Sequence, residues 1–222
     1  MTQTSTTLRF AVLLTCTNGF LDSHTYLARA GVFANVQTGN VIFFAIDVAH
    51  RQWGHTLGHL WPILAFLAGA MLAFHIRSGR LHKVLRHPLR WAMAVQAFVL
   101  TVMGFVPAWV PYSFVTVPIS FVAAMQMCLF RSIGDLPYLP VATTGNLMRF
   151  VEAAYAGFAN HDPKGRSGFR VYGSLLVAFA GAAVVGAVTT TLWGVRAIWL
   201  PAAFLACTLA LFIGDERAGK EP

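Results

Sequence analysis

The chain has 222 residues, of which 57% are apolar or aromatic and 11% are charged, less than half the charged share of an ordinary soluble domain. With a mean hydropathy of +0.63 it cannot clothe a globule in polar groups. A soluble single domain is therefore excluded, and a compact polytopic membrane protein is expected, with room for about six to eight spans of about 20 residues. The net charge of +8 is read as the Lys and Arg surplus of cytoplasmic loops, not as a nucleic-acid surface.

Leu8–Leu27 is the first span, interrupted by Asp22 and His24 yet long enough to cross. It has no small-residue cleavage site and reads as a retained helix, not a signal peptide. Val32–Gln37 has extended character and leads through Thr38-Gly39-Asn40 into Asn40–Ala49, which is apolar but too short to cross comfortably. Leu60–Ile76, Trp91–Val110 and Tyr112–Phe130 are spans. A second extended stretch, Tyr138–Thr143, leads through Thr144-Gly145-Asn146 into a second short segment, Asn146–Phe158. Val171–Trp193 and Ala197–Ile213 are the last spans. Trp53, Trp61, Trp91, Trp109, Trp193 and Trp199 all fall at or near the ends of these stretches, where indole rings favour the headgroup boundary. Cys16, Cys128 and Cys207 lie far apart in apolar stretches and form neither a disulfide framework nor a zinc pattern.

Charge sets the topology. Arg77–Arg90, with Arg80, Lys83 and Arg86, and the loop 160–170, with Lys164, Arg166 and Arg170, are the basic loops and should face the cytoplasm. Two full spans separate them, so the segment after Thr144 must enter and leave from one face. Irregular backbone at that depth survives where protein buries it or where it lines a wet cavity.

The chain also repeats. Thr-Gly-Asn recurs after 106 residues, and Ala68-Gly69-Ala70 recurs as Ala180-Gly181-Ala182 after 112. Asn18 to Asp22 corresponds loosely to Ala123 to Met127. The expected fold is an all-α polytopic membrane protein of six transmembrane helices and two re-entrant half-helices in two inverted-topology repeats. The repeats run over about 8–110 and about 111–214 of a single membrane domain, 1–222, with both termini cytoplasmic.

Gly19-Phe20-Leu21-Asp22, the block Gly31-Val32-Phe33-Ala34-Asn35-Val36-Gln37-Thr38-Gly39-Asn40, Gln126 and Thr144-Gly145-Asn146 resemble the YoaK-like bacterial multi-pass membrane proteins. The resemblance covers nearly the whole chain. That family is functionally unassigned, so the resemblance implies a fold and an inner-membrane address, and no substrate. Ala124 and Met127 depart from the Gly and Asn expected there, against strict site symmetry.

Two half-helix N-termini facing each other would make an electropositive centre at mid-membrane. Thr38, Gly39, Asn40, Thr144, Gly145 and Asn146 are therefore candidate contacts for a small polar or anionic solute, with Asp22, Asn35 and Gln126 beside them. The plainer reading is that Thr and Asn cap the half-helices. Asp22 is either a coupling group, with His24 as a relay, or half of an ion pair with Arg131 that ties the two halves together. Arg149 and Glu152 are spaced for a local ion pair, and Gln96 and Gln126 for hydrogen bonds between helices. His50, His55 and His59 share a predicted external loop, but Asp47 is the one acidic or thiol group near them, and no metal site is expected.

No catalytic signature or cofactor motif is present, and an enzyme ranks last. The expected function is an inner-membrane transporter or channel for a small polar or anionic solute held between the two Thr-Gly-Asn turns. The alternative is a non-transporting assembly or regulatory protein whose buried polar residues are structural. The expected partners are the lipid bilayer, the solute and, as an option the long apolar helices allow, a second copy of the chain.

Overall fold

The computed structural model describes residues 4–80 and 87–217 of the chain; Lys83 and Arg86 of the basic loop lie outside the described residues. The described chain is all-α apart from one small hairpin. Its helices are α1 (Leu8–Ala28), α2 (Gln37–Ala49), α3 (Trp53–Arg77), α4 (Pro88–Met103), α5 (Ser113–Leu129), α6 (Thr143–Ala154), α7 (Pro163–Trp193) and α8 (Trp199–Arg217). Between α5 and α6 lie β1 (Ser132–Ile133) and β2 (Leu136–Pro137), paired antiparallel around Gly134, whose φ of 54° is left-handed.

Local chemistry sets most of these boundaries. The Thr7 hydroxyl accepts the Phe10 N–H at 3.3 Å and caps α1. Ala30 and Gly31, at φ of 54° and 75°, turn the chain out of that helix. Pro88 and Pro163 sit in the first turns of α4 and α7, where their missing N–H costs nothing. The Asp162 carboxylate adds a cap to α7 by accepting the Lys164 N–H at 2.9 Å.

The elements differ from expectation in five places. The segment 163–170, read as loop, is the first part of α7, because Asp162 and Pro163 start the helix there. The span expected to reach Val110 ends at Met103, and Gly104 and Pro107 stand in the loop beyond it. Trp53 begins α3 seven residues before Leu60, so His55 and His59 are helical rather than in a loop. Neither the hairpin nor the π-helical turn Tyr155–Ala159 that follows α6 was signalled in the sequence.

Packing follows a pattern. α1 lies on α7 and α3 on α5; α2 lies on α3 and α6 on α7; α1 also meets α8, α5 meets α4, and α4 meets α8. At one end of the bundle Arg29, just past α1, donates to the Val106 and Pro107 carbonyls at 2.9 and 3.2 Å, and the Trp199 indole N–H donates to Thr101 O at 3.2 Å. At the other end the Phe10 ring packs on Phe130 and Phe212, and Arg77 donates to Cys128 O at 3.1 Å. The start of α1 therefore meets the ends of α5 and α8. Between the two ends, the stretch after α1 runs back along the bundle, since Asn35 hydrogen-bonds to Asn18 halfway along α1.

Polarity is turned inside out. Asn18, Asn35, Asn40, Gln96, Gln126 and Asn146 are buried, while Val41, Ile42 and Ile46 of α2 and Val177, Val184, Val188 and Leu192 of α7 are exposed. All six tryptophans are exposed. α3 and the continuous helical stretch Pro163–Gly214 are long and apolar enough to cross a bilayer, with mean hydropathy of 1.8 and 2.1 over their best windows. A surface of this kind is suited to lipid and not to water.

Glycines let helix backbones approach closely at several places, two of them between the main helix pairs. A Cβ on Gly19 would overlap the Phe179 carbonyl of α7, and one on Gly69 would overlap the Phe121 carbonyl of α5. Gly181, which matches Gly69 in the sequence, has open space around it. We expect Gly19→Ala and Gly69→Ala each to lower stability by about 1–3 kcal/mol through overpacking. Gly181→Ala should be neutral or slightly stabilising, as Ala favours a helix by about 1 kcal/mol over Gly. Thermal unfolding in detergent reads all three, and equal losses at Gly69 and Gly181 would contradict the packing described.

Candidate functional site

The Thr-Gly-Asn turns come first, because their geometry is the same in both places. The Asn40 amide donates to Phe33 O at 2.7 Å, and its oxygen accepts the Phe33 N–H at 3.2 Å. The Asn146 amide donates to Leu139 O at 2.9 Å and accepts the Leu139 N–H at 3.2 Å. Each asparagine thus clips its half-helix to the backbone of the residue seven positions earlier. Gly39 leaves room for the Phe33 ring, which would lie 2.7 Å from a Cβ there; at Gly145 the neighbour is Leu139, 3.2 Å away. Thr38 and Thr144 are exposed. Neither half-helix has a side-chain cap on its first turn, and no hydrogen bond among the described residues joins the two Thr-Gly-Asn turns.

Asn40 has further ties. It donates to Gln37 Oε1 at 3.0 Å, and His59 Nδ1 lies 3.4 Å from its oxygen. The other ring nitrogen of His59 faces Asp47 at 3.7 Å, an ion-pair distance, and its ring lies tilted against that of Phe43, centroids 5.3 Å apart. The histidine expected in an external loop therefore fastens α3 to α2.

The second polar centre lies on α1. Asn18, Asp22 and Thr25 fall at i, i+4 and i+7 on one helix face, and the stretch 34–36 lies against them. Thr25 Oγ1 accepts the Ala34 N–H at 3.2 Å, and Asn35 Nδ2 donates to the Asn18 backbone carbonyl at 3.3 Å. The backbone N–H groups of Asn35 and Val36 face the Asp22 carboxyl, yet neither Asp22 oxygen closes a hydrogen bond of ordinary geometry. From the other side, Gln126 Oε1 of α5 accepts from Asn18 Nδ2 at 3.2 Å and from Gln96 Nε2 of α4 at 2.7 Å. Gln37 and Ser120 complete the surroundings: Gln37 donates to Ala34 O at 3.0 Å and to Ser120 Oγ at 3.4 Å, and Ser120 donates to Ala34 O.

Of the residues expected at the site, Asp22, Asn35 and Gln126 are thus brought together, and Asn40 is linked to them through Gln37. Thr144, Gly145 and Asn146 are not part of this cluster. The expected ion pair between Asp22 and Arg131 does not form, because Arg131 is exposed while Asp22 is buried against the Asn35 and Val36 backbone. No ion pair joins Arg149 to Glu152 either; on α6 both lie near the Tyr172 hydroxyl instead. His24 does not relay to Asp22. Two positions along a helix it points to the other side, where Nδ1 lies 2.8 Å from Thr190 Oγ1 of α7. Asn18 was missed as a site residue, although its i, i+4 spacing from Asp22 on an otherwise apolar span was a legible signal.

A family model described as "Protein of unknown function (DUF1275)" matches residues 10–211, and the chain belongs to that family. No curated protein and no solved structure matches it.

Because each clip serves two buried backbone groups, Asn40→Ala and Asn146→Ala should each cost about 2–4 kcal/mol. Asn40→Ala should be the costlier, as it also strands Gln37 and His59. Thr38→Ala, at an exposed position, should fall within about 0.5 kcal/mol of the parent. Chemical unfolding of the three variants in detergent measures this order, and a neutral Asn146→Ala would refute the structural role of the clip.

Proposed function

We propose that this member of the family is a transporter or channel of the bacterial inner membrane that passes a small polar solute through the Asn18, Asp22, Asn35, Gln96 and Gln126 cluster. Its architecture on this reading is six spans and two re-entrant half-helices in two inverted repeats. The packing pattern supports the repeat: exchanging α1–α4 for α5–α8 turns α1 on α7 into α5 on α3, α2 on α3 into α6 on α7, and α1 on α8 into α5 on α4, and maps α4 on α8 onto itself. The duplicated asparagine clips support it too. The charge distribution supports cytoplasmic termini. Arg29, Arg51 and Arg196 are the basic residues at the bundle end where α1 leaves and α3 begins, whereas Arg77, Arg80, Arg90, Arg131, Lys164, Arg166 and Arg170 belong to the other.

The observation that carries the function is a cluster of buried polar atoms without partners in the middle of an apolar bundle. Asn18 Oδ1, both Asp22 oxygens, Asn35 Oδ1 and Gln126 Nε2 all lack hydrogen bonds. A purely architectural network closes on itself, because each open group costs about 1–3 kcal/mol. Atoms from α1 and α5 meet at the junction of the proposed repeats, where transporters of inverted design hold their cargo. The solute class expected from the half-helices alone was anionic or polar. The Asp22 carboxyl stands at the approach to the α2 N-terminus, where an anion would bind, and this favours a neutral or cationic solute.

The second reading, a non-transporting assembly or regulatory protein, draws on the clips: Asn40 and Asn146 are consumed by their own loops. Reconstitution into proteoliposomes separates the two. Uptake of labelled monovalent cations, small amines and neutral polar solutes is expected for at least one class, and Asp22→Asn should reduce it about tenfold or more while leaving the melting temperature within a few degrees. Absence of uptake across the panel would favour the structural reading, and uptake that ignores Asp22→Asn would take the solute path away from this cluster.

A further inference from the structure

We propose that Asn18, Asp22 and Asn35 form the binding site of a dehydrated monovalent cation, lodged between the middle of α1 and the extended stretch that precedes α2. The inference deepens the transport reading, since it uses the same cluster. It concerns what is bound there, whether or not it is moved.

The argument begins with which ends of these side chains are free. Asn18 spends its Nδ2 on Leu14 O at 2.8 Å and on Gln126 Oε1 at 3.2 Å, which leaves Oδ1 open. Asn35 spends its Nδ2 on the Asn18 carbonyl at 3.3 Å, which again leaves Oδ1 open. Both oxygens of Asp22 are open. These residues are 0%, 2% and 6% exposed, so water outside the bundle does not serve them. Hydrogen bonds fix the amide orientations, and the open ends are four acceptor oxygens, two of them the carboxyl's own. The donors beside them are Gln126 Nε2 and the Asn35 and Val36 backbone N–H groups that face the carboxyl.

Oxygen donors with a single negative charge suit a hard cation of charge one; divalent ions draw more carboxylates or keep their water. Arg29, the buried cation nearest in sequence, is committed to two carbonyls about 10 Å further along the chain axis, at the end of the helix. It cannot neutralise Asp22. Arg131 is exposed and does not reach it.

Comparison of the two halves removes the architectural explanation. In the second half the clip is the same, yet Ala123 stands at the position of Asn18, Met127 at that of Asp22 and Val141 at that of Asn35. Pro140, at the position of Ala34, has no N–H to satisfy. An extended stretch and half-helix can therefore be set into this bundle without a buried carboxylate. The polar trio of the first half does something that the turn does not require.

The test is thermal unfolding of the purified full-length protein in detergent, in sodium, potassium or choline chloride at equal ionic strength and fixed pH. Sodium or potassium at about 100 times its dissociation constant should raise the melting temperature about 5 °C above choline. Asp22→Asn, an isosteric change, should abolish the difference. Asn35→Ala keeps the carboxyl and should shift the cation dependence to about tenfold higher concentration, which guards against an Asp22→Asn protein that fails to fold. Identical melting in the three salts would overturn the proposal, as would a cation response that survives Asp22→Asn. A melting temperature that follows pH alone would assign Asp22 a bound proton and overturn it as well. Cation stabilisation without uptake in proteoliposomes would sink the transport reading and leave the site standing; uptake without cation stabilisation would do the reverse.

Discussion

A backbone that leaves the helix inside an apolar bundle must find partners for its N–H and C=O groups, and everything at the centre of this protein depends on how that is done. Asparagine is well matched to the task. Its side-chain amide repeats the donor and acceptor of a peptide group at the same spacing, so one residue can serve both groups of Phe33 or of Leu139. Aspartate lacks the donor, and glutamine adds a methylene to the reach. Gly39 and Gly145 follow from the same constraint. Once the backbone is drawn over the first turn of the half-helix, the side chain at 33 or 139 comes with it and needs the space of a missing Cβ. The Thr-Gly-Asn motif is thus one device, with glycine and asparagine answering to a single residue upstream.

With that device in both halves, the differences between the halves become informative. The first extended stretch lies against Asn18, Asp22 and Thr25 of α1 and against Ser120 of α5. The second carries Pro140 and Val141, and its neighbourhood offers Tyr172, whose hydroxyl donates to Pro137 O at 2.8 Å. One half has become polar around a turn that the other half makes with apolar residues. The open polar groups lie mostly in the first half, with Gln126 and Ser120 from α5 beside them.

Much of this was legible in the sequence, for reasons that differ by residue. The helices were readable because long apolar stretches mark them, and the tryptophans fell near their ends. The short helices α2 and α6 were readable from a tripeptide that occurs twice. The pairing of Asp22 was not. Opposite charges in a sequence suggest a bridge, but whether Arg131 turns inward depends on tertiary packing that no spacing encodes. His59 was placed in a loop because Gly54, Gly58 and three polar residues obscure the start of α3, which Pro62 further disguises. Asn18 was passed over as a single polar residue, although its phase with Asp22 and Thr25 traces a polar stripe down an otherwise apolar helix.

Burial of the cluster limits how it could carry a solute. Among the described residues, two surface cavities of about 560 and 460 Å³ lie at the end formed by Leu27, Ala28, Ala108, Thr190 and Arg196 and by Phe105, Val106 and Trp199. None of these residues belongs to the cluster, so the centre is closed toward them. An open pore would leave its selective atoms wet, whereas Asn18, Asp22, Asn35 and Gln126 are all shut away. The seams where α1 meets α7 and α3 meets α5 are drawn tight by Gly19 and Gly69, with backbone against helix and no slack for a pore to widen. What is held by side-chain hydrogen bonds instead of packed helix is the stretch 32–36 with α2 behind it. On the proposed reading, exposure of Asp22 would have to come from that segment moving against α1, which is alternating access and not an open pore.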